Sequence, residues 1–196
     1  MTPEFTPFPK MARLSREIIV TEKIDGTNAQ IHITEGGQFF AGSRTRWITP
    51  EDDNFGFAAW AYENHEELRE LGPGSHFGEW WGKGIQRNYS LPERRFSLFN
   101  VIRWGEGPNG EVECRPACCN VVPVLYRGPM EEYGVLKGIK TALAELEKHG
   151  SRAAPGFMKP EGIVIFHIAA HKLFKKTLKD DELSKGELDA RAKAAA

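Results

Sequence analysis

Residues 17–28 read Glu-Ile-Ile-Val-Thr-Glu-Lys-Ile-Asp-Gly-Thr-Asn. The β-branched run predicts a strand over Glu17–Ile24, and the Asp-Gly pair predicts a turn over Asp25–Asn28. A second segment of alternating polarity and a returning segment follow, over Ala29–Thr34 and Gln38–Ala41, with glycines between them. This order predicts antiparallel strands built around tight turns.

The rest of the chain mixes two helical signals with several short apolar ones. Thr49 as cap, Pro50 at the first position and acids in the first turn predict a helix over Thr49–Leu71. Leucine and isoleucine recur at helical spacing from Leu136 to Leu146, and Gly150 is placed to end that helix. Short apolar or extended segments are Ser75–Trp81, Phe96–Trp104, Asn120–Tyr126, Gly162–Ala169 and Lys172–Leu178, with a turn signal at Asn109-Gly110. The pattern predicts an α+β fold of mostly antiparallel sheets with flanking helices.

The size and composition of the chain predict one domain. Its 196 residues and 22.0 kDa suit a single domain over residues 1–178, followed over 179–196 by a charged, alanine-rich tail or surface helix. The formal net charge of −1 excludes nucleic-acid binding by bulk basicity, so any such site must be a local patch. Three cysteines exclude a complete disulfide framework, and neither a membrane span nor a secretory signal is evident. We expect a cytoplasmic protein with no membrane partner.

Lys23 is the sharpest candidate for chemistry. It stands at the end of an apolar strand and on the edge of a glycine-containing turn. A lysine at a strand edge before a turn is common and needs no function. A nucleophilic lysine is the alternative, and because a free lysine has a pKa of about 10.4, it needs nearby cations, a metal or partial burial. Further cations and a metal ligand should then occur elsewhere in the chain.

Several other segments carry side chains of this kind, each with a plain structural alternative. Arginines at 44 and 46 can clamp phosphates or lie in a solvated loop. Glu79, between glycine and tryptophan, can accept ribose hydroxyls or stand at the surface of a turn. Aromatic residues at 96 and 99 can stack on a base or pack in the core. Glu161 at a strand start can hold a divalent metal, and the lysines of residues 172–176 can bind phosphate or protect an edge strand.

Six segments in this order resemble the conserved blocks of the covalent nucleotidyltransferases. These are EKIDGTN, SRTR, FGEWWG, FSLFN, EGIVIF and LFKKT, and the resemblance runs from about Pro9 to Leu178. The superfamily includes ATP-dependent DNA ligases, RNA ligases and capping enzymes. The chain is most similar to the RNA ligase branch, in which asparagine follows the lysine block. The resemblance implies an adenylation domain and an ATP-dependent RNA ligase that joins 3′-OH and 5′-phosphate ends.

The resemblance also implies a role for each matching residue. Lys23 would attack the α-phosphate of ATP and carry AMP as a lysyl–AMP phosphoramide, and Lys175 would contact that phosphate. Glu161 would bind or orient Mg²⁺ or Mn²⁺. The expected nucleotide contacts are Glu22, Ile24, Asn28, Arg44, Glu79, Phe99 and Lys175.

The chain departs from the family pattern at three points. Asn100 stands where an aspartate is usual, and Leu173 stands where the first of two lysines is usual. The residues after Leu178 are too few for an OB-fold domain, so we expect a stand-alone adenylation domain. RNA ends or nicked duplexes would then be held by local cations, with an accessory RNA-binding protein as a further possible partner. The nearest cations in sequence are Arg46, Lys83 and Arg87.

Two other functions remain open from the sequence. A minimal ATP-dependent DNA ligase would use the same chemistry, and a catalytically idle module would bind nucleotide or RNA ends only. Retention of Lys23, Glu79 and Glu161 together favours an enzyme. Cys114, Cys118 and Cys119 indicate zinc only faintly, because their spacing lacks paired CxxC ligands.

Overall fold

Two β-sheets face each other across a cavity, and helices cover their outer sides. The structure is a computed structural model that describes residues 3–105, 115–131, 136–183 and 186–187. Both sheets are antiparallel apart from one parallel strand pair, so the predicted α+β class with mostly antiparallel sheets is confirmed. In the described part of the chain, no helix has the length and apolarity that crossing a membrane requires.

The smaller sheet has four strands in the order β10-β9-β1-β8, all antiparallel. The strand predicted at residues 17–24 is confirmed, and the predicted segments at residues 162–169 and 172–178 form two antiparallel neighbouring strands. The pairing of β1 with β9 joins strands from opposite ends of the chain and places Lys23 opposite Gly162. The strands are β1 (Glu17–Lys23), β8 (Val124–Pro129), β9 (Gly162–His167) and β10 (Lys172–Thr177).

The larger sheet has six strands in the order β4-β3-β2-β5-β6-β7. Its central pair, β2 and β5, places Asn28 opposite Glu79. The predicted antiparallel neighbours over 29–34 and 38–41 are confirmed as β2 and β3. The strands are β2 (Thr27–Ile33), β3 (Phe39–Gly42), β4 (Trp47–Ile48), β5 (Gly74–Gly82), β6 (Arg94–Leu98) and β7 (Cys119–Val121).

The helix predicted over Thr49–Leu71 is wrong in its first part. Residues 49–56 form turns, and the helical region begins at Phe57. The cap is the carboxylate of Asp53, which accepts hydrogen bonds from the amides of Ala58 and Ala59 at 2.7 and 3.0 Å. Thr49 instead closes a small turn with Asp52. The helical segments here are α1 (Phe57–Glu63) and α2 (His65–Leu68), with a 3₁₀ turn at Arg69–Leu71.

Two further segments are divided by the fold. The apolar segment 96–104 divides into β6 and the short helix α3 (Val101–Trp104). The extended segment 120–126 divides into β7 and β8, which belong to different sheets. The helix α4 (Lys137–His149) and its end at Gly150 are as predicted. The turn at Asn109-Gly110 and most of the predicted tail lie outside the described residues.

The core consists of three clusters that explain which sheet faces are open. Alternate residues of β1 pack against α4, where Ile18 and Val20 form one buried cluster with Ile139 and Leu146. Alternate residues of the larger sheet pack against α1 and α2 in the same way. The third cluster lies next to the carboxyl end of β1, where it joins the two sheets. It comprises Ile24, Trp81, Tyr89, Val122 and Ala154. Because both helical layers are on the outside, the inner sheet faces are left to line the cavity.

Candidate active site

The cavity between the sheets has a volume of about 950 Å³, which is ample for a nucleotide. Strands β1, β9 and β10 supply one wall, and strands β2 and β5 with the segment after β6 supply the other. Seven of the residues expected from the sequence line it: Glu22, Lys23, Ile24, Asn28, Arg44, Glu79 and Phe99. These seven residues come from four of the six sequence blocks. Glu161, from a fifth block, is joined to them through its contact with Lys23.

Lys23 forms an ion pair with Glu161. The ammonium Nζ donates to Glu161 Oε2 at 2.6 Å, and the two side chains are 24% and 16% exposed. Glu161 immediately precedes β9, and the antiparallel pairing of β1 with β9 brings it beside the lysine. The strand ladder thus places the candidate nucleophile and the candidate metal ligand in direct contact.

The turn after Lys23 is held against the opposite wall by Glu79. The amide of Gly26 donates to Glu79 Oε1 at 3.0 Å, and Asn28 Nδ2 donates to Oε2 at the same distance. Gly26 has no room for a side chain, because a Cβ there would lie 2.4 Å from the carbonyl oxygen of Trp80. The glycine of the lysine block is therefore required by close approach of the turn to β5.

Glu79 is a buried carboxyl group with a perturbed pKa. Burial raises its pKa to about 7, against the opposing effects of the Lys23 charge and the hydrogen bonds from Gly26 and Asn28. Nearby Glu161 adds to the upward shift, since two carboxylates close together disfavour each other's ionisation. A carboxyl that changes charge near neutral pH stands beside the lysine.

The carboxylate of Glu22 points away from the cavity. Strand alternation puts it on the opposite face of β1 from Lys23, where its Oε2 accepts hydrogen bonds from the amides of Arg152 and Ala153 at 2.8 and 2.9 Å. Burial raises its pKa, and among the described residues Oε1 has no hydrogen-bond partner. The nearby Ser151 hydroxyl favours the charged form of the Glu22 carboxyl group, but it does not form a hydrogen bond with Oε1. Only the main chain of Glu22 is left to contact a nucleotide.

The sequence analysis did not predict that Tyr89 and Arg87 support the turn after Lys23. The amide of Asp25 donates to the hydroxyl of Tyr89 at 2.8 Å, and the Asp25 carboxylate pairs with Arg87 Nε at 2.9 Å. Arg87 also reaches the carbonyl of Lys159 at 3.3 Å. Around Tyr89 the backbone has positive φ at four residues that are not glycine, which are Gln86, Asn88, Tyr89 and Ser90. The one sequence signal was the Asn-Tyr-Ser run after Arg87, which is rich in residues that favour turns.

The expected cations have different surroundings. Arg44 is exposed and lines the cavity. Arg46 pairs with Asp52, and Lys83 is exposed at the far end of β5. Lys175 pairs across the sheet with Val164, which lines the cavity, so both side chains lie on the cavity side of β10. Of the three cations expected to contact RNA, none lines the cavity itself.

The aromatic block has a divided role. Phe96 is fully buried in the core, whereas Phe99 is 40% exposed and lines the cavity. Asn100, where the family pattern has an acid, caps α3, because its side-chain oxygen accepts from the amide of Arg103 at 3.1 Å. Aspartate caps a helix as well as asparagine does, so the cap explains the use of this position but not the departure from the family pattern.

The cysteines do not form a metal centre in the described part of the chain. Burial raises the pKa of the Cys118 thiol to about 11 and that of Cys119 further, so both remain protonated near neutral pH. Cys114 lies outside the described residues. No group of three or more His, Cys, Asp or Glu side chains in the described ranges is arranged to hold a metal ion.

The carboxylates near Lys23 suit a divalent cation that is coordinated partly by the protein and partly by the phosphates of a substrate. Mg²⁺ and similar ions commonly bind one or two carboxylates together with phosphate oxygens and retained waters. Glu161 supplies such a carboxylate beside Lys23, and Glu79 is close enough for the two charges to interact. The residues present therefore suit a cation brought in with phosphates.

Comparison with known proteins identifies the class. A family model described as RNA ligase matches residues 16–179. A lysine-to-alanine variant of Naegleria gruberi RNA ligase, solved with ATP and Mn, is 18% identical, covers 90% of this chain and 52% of its own, and gives a TM-score of 0.54. A glutamate-to-alanine variant of that protein with AMP and Mn has the same identity and coverages and a TM-score of 0.53. An archaeal ATP-dependent RNA ligase is 18% identical over 88% of this chain and 48% of its own, with a TM-score of 0.56.

These matches agree with the architecture described above. The two-sheet fold is shared with these RNA ligase structures. The chain spans about half the length of these solved structures. Because the family model covers most of the sequence, the chain belongs to the RNA ligase family.

Proposed function

We propose that this chain is an ATP-dependent RNA ligase that joins a 3′-OH to a 5′-phosphate through a lysyl–AMP intermediate. The observation that carries the proposal is the contact of Lys23 with Glu161 in a cavity whose opposite wall presents Glu79 and Phe99. Family membership supports it, as do the similar structures that were solved with ATP and Mn or with AMP and Mn.

The first step forms the lysyl–AMP bond. Lys23 Nζ gives up a proton, and its lone pair attacks the α-phosphorus of ATP. A nitrogen–phosphorus bond forms, the bond to the bridging oxygen of the β-phosphate breaks, and pyrophosphate leaves. Glu161 is the carboxylate in contact with the ammonium and the nearest acceptor for its proton.

The two later steps transfer AMP and seal the strand. The 5′-phosphate of RNA attacks the AMP phosphorus, the nitrogen–phosphorus bond breaks, and Lys23 takes up a proton. The 3′-OH of the second end then loses its proton to solvent and attacks the 5′-phosphorus. The bond from that phosphorus to the oxygen shared with AMP breaks, and AMP leaves as the phosphodiester forms. Bound Mg²⁺ or Mn²⁺ would be held by Glu161 and would neutralise phosphate charge.

Other side chains bind and orient the substrates in this proposal. Glu79 accepts ribose hydroxyls, Phe99 stacks on adenine, and Lys175 contacts the α-phosphate. The remaining nucleotide contacts are Asn28, Arg44, Ile24 and the main chain of Glu22.

The surroundings of the three expected RNA cations refine their roles. Arg46 and Lys83 remain exposed for phosphates of RNA ends or nicked duplexes. Arg87 already holds Asp25 and the carbonyl of Lys159, so it supports the lysine turn even if it also contacts RNA. An accessory RNA-binding protein would extend this limited surface. The free thiols of Cys118 and Cys119 suit a reducing cytoplasm, where such an enzyme would repair RNA.

The test is transfer of label from α-labelled ATP to the protein with Mg²⁺ or Mn²⁺. Wild-type protein should retain acid-labile label after denaturation, while Lys23→Ala and Lys23→Arg should retain none, since a guanidinium stays protonated. Lys148→Ala, an exposed lysine of α4, is the matched control and should label normally. Labelling of Lys23→Ala at the wild-type level would refute the proposal.

Sealing assays then separate the neighbouring activities. Matched RNA and DNA nicks distinguish an RNA ligase from a minimal DNA ligase, because only the former prefers the RNA strand. A protein that binds ATP without taking up label would be an idle binding module.

A further inference from the structure

Aromatic side chains continue outward from the cavity across the open face of the larger sheet. Strand register aligns them in a transverse row: Trp47 lies opposite Gly42, Gly42 opposite Gln30, and Gln30 opposite Phe77. The amide of Phe99 donates to the carbonyl of Phe77 at 2.9 Å and extends the row to the cavity. Neighbouring strands lie about 4.8 Å apart, so Trp47 is about 14 Å from Phe77 across the sheet.

Trp47 lies flat on the sheet and stays open to solvent. A Cβ on Gly42 would meet two carbons of the indole ring at 3.0 and 3.1 Å, so the absence of a side chain at Gly42 provides the seat for the ring. Trp47 is nevertheless 52% exposed, and Phe77 is 55% exposed. Exposure of two large aromatic rings on one sheet face is costly in water, because about half of each residue stays in contact with solvent.

Polar groups lie between these rings. His32 is 5.7 Å from the Trp47 ring and 6.3 Å from the Phe40 ring, measured between centroids. Its Nδ1 is 2.8 Å from the hydroxyl of Ser75, which also accepts from Gln30 Nε2 at 3.1 Å. An imidazole, an amide and a hydroxyl are thus held in place where they can meet the edge of a base that stacks on a neighbouring ring.

The row is continuous with the cavity and has a cation at its border. Gln30, Ser75, Phe77 and Arg44 all line the cavity that holds Lys23. Within the described ranges Arg44 forms no ion pair, in contrast to Arg46, which pairs with Asp52. An exposed guanidinium beside exposed rings is suited to a ligand with both flat bases and phosphates.

We infer that Phe40, Trp47, Phe77 and His32, here called the aromatic platform, bind single-stranded RNA next to the end being joined. The inference rests on the proposed function, because it takes Lys23 as the place where the RNA end reacts. Bases of an unpaired strand can stack on these rings, while Arg44 contacts the phosphate that leads into the cavity. Paired bases are already stacked inside a duplex and cannot use the platform.

The experiment measures binding of a short fluorescein-labelled single-stranded RNA by anisotropy without ATP, with lysyl–AMP yield on the same preparations. Trp47→Ala and Phe77→Ala should each weaken binding at least about fivefold, and Trp47→Phe should restore most of the affinity. Lysyl–AMP yield should be unchanged in Trp47→Ala. Phe174→Ala is the matched control, because this ring is 53% exposed on the far face of the other sheet. An unlabelled duplex of the same sequence should compete poorly.

If Trp47→Ala and Phe77→Ala both bind the RNA with wild-type affinity, the inference is wrong. The same result is expected if the aromatic platform binds a protein instead of RNA. Equal weakening by Phe174→Ala, or equal competition by the duplex, would also overturn the inference. Failure of the wild-type protein to form lysyl–AMP is a separate result that refutes the proposed function, since anisotropy does not depend on that step.

Discussion

Replacing Glu79 with glutamine should remove the loss of folding stability that the wild-type protein shows as pH rises toward 7. The pKa of Glu79 is raised from 4.5 to about 7, chiefly because burial disfavours the carboxylate. Below pH 4.5 the group is protonated in both folded and unfolded chains and costs nothing. As pH rises toward 7 the unfolded chain ionises first, so stability falls. Above pH 7 the full difference remains, about 3 kcal/mol at 1.36 kcal/mol per pKa unit.

Glutamine preserves the shape of the side chain and removes its titration. Its oxygen can still accept from the amide of Gly26, while its amino group faces Asn28 Nδ2 and costs a constant amount at every pH. The stability of Glu79→Gln relative to wild type should therefore rise by about 3 kcal/mol between pH 4 and pH 8. The pH dependence of this difference, rather than its value at one pH, isolates Glu79 from other buried acids such as Glu22.

The assay is urea denaturation of both proteins at several pH values, without nucleotide. Glu70→Gln is the control, because this glutamate is exposed and its variant should follow the wild-type curve. Parallel wild-type and Glu79→Gln curves would refute the reasoning. Such a result would mean that Glu79 ionises in the folded protein much as it does in water.

Two further predictions concern the lysine and its turn. Glu161→Gln should reduce the rate of lysyl–AMP formation at least about a hundredfold and raise the Mn²⁺ concentration needed for half-maximal labelling. The reason is that the glutamine amide lacks the negative charge that holds both Lys23 and a cation. Labelling of this variant with wild-type kinetics would contradict the prediction. Tyr89→Phe should lower the free energy of unfolding by about 1–3 kcal/mol, because the Asp25 amide loses its acceptor. It should also slow labelling more than it raises the ATP concentration for half-maximal labelling, and an unchanged rate in the folded variant would show that Tyr89 does not position the turn.

Local patterns were enough to predict several elements. Alternation and β-branching located β1 and β2, and helical spacing with a terminal glycine located α4. These elements are set by residues close together in sequence. The helix predicted from Thr49 began too early, because Asp53 competes as the cap and the Thr49–Asp52 turn breaks the pattern. Capping signals alone did not show that Asp53, rather than Thr49, satisfies the first amides of the helix.

Strand alternation alone separates the side chains of Glu22 and Lys23. Successive side chains point to opposite faces, so Glu22 and Lys23 cannot both face the same cavity. The sequence could therefore have predicted that the Glu22 carboxylate points away. Its partners, the amides of Arg152 and Ala153, lie about 130 residues later and have no local signal. Similarly, nothing in the segment 120–126 shows that its two halves join different sheets.

By itself the sequence determined the lysine at the end of a strand, the glycine turn after it and the order of blocks that indicates an RNA ligase. Only the tertiary structure decided that Glu161, 138 residues from Lys23, lies 2.6 Å from its ammonium. The same is true of the pKa of Glu79 and of the alignment of Trp47 with Phe77 across four strands. The physical reason is that strand pairing, register and burial join residues distant in the chain. Local preferences determine which segments become strands, but not which strands become neighbours.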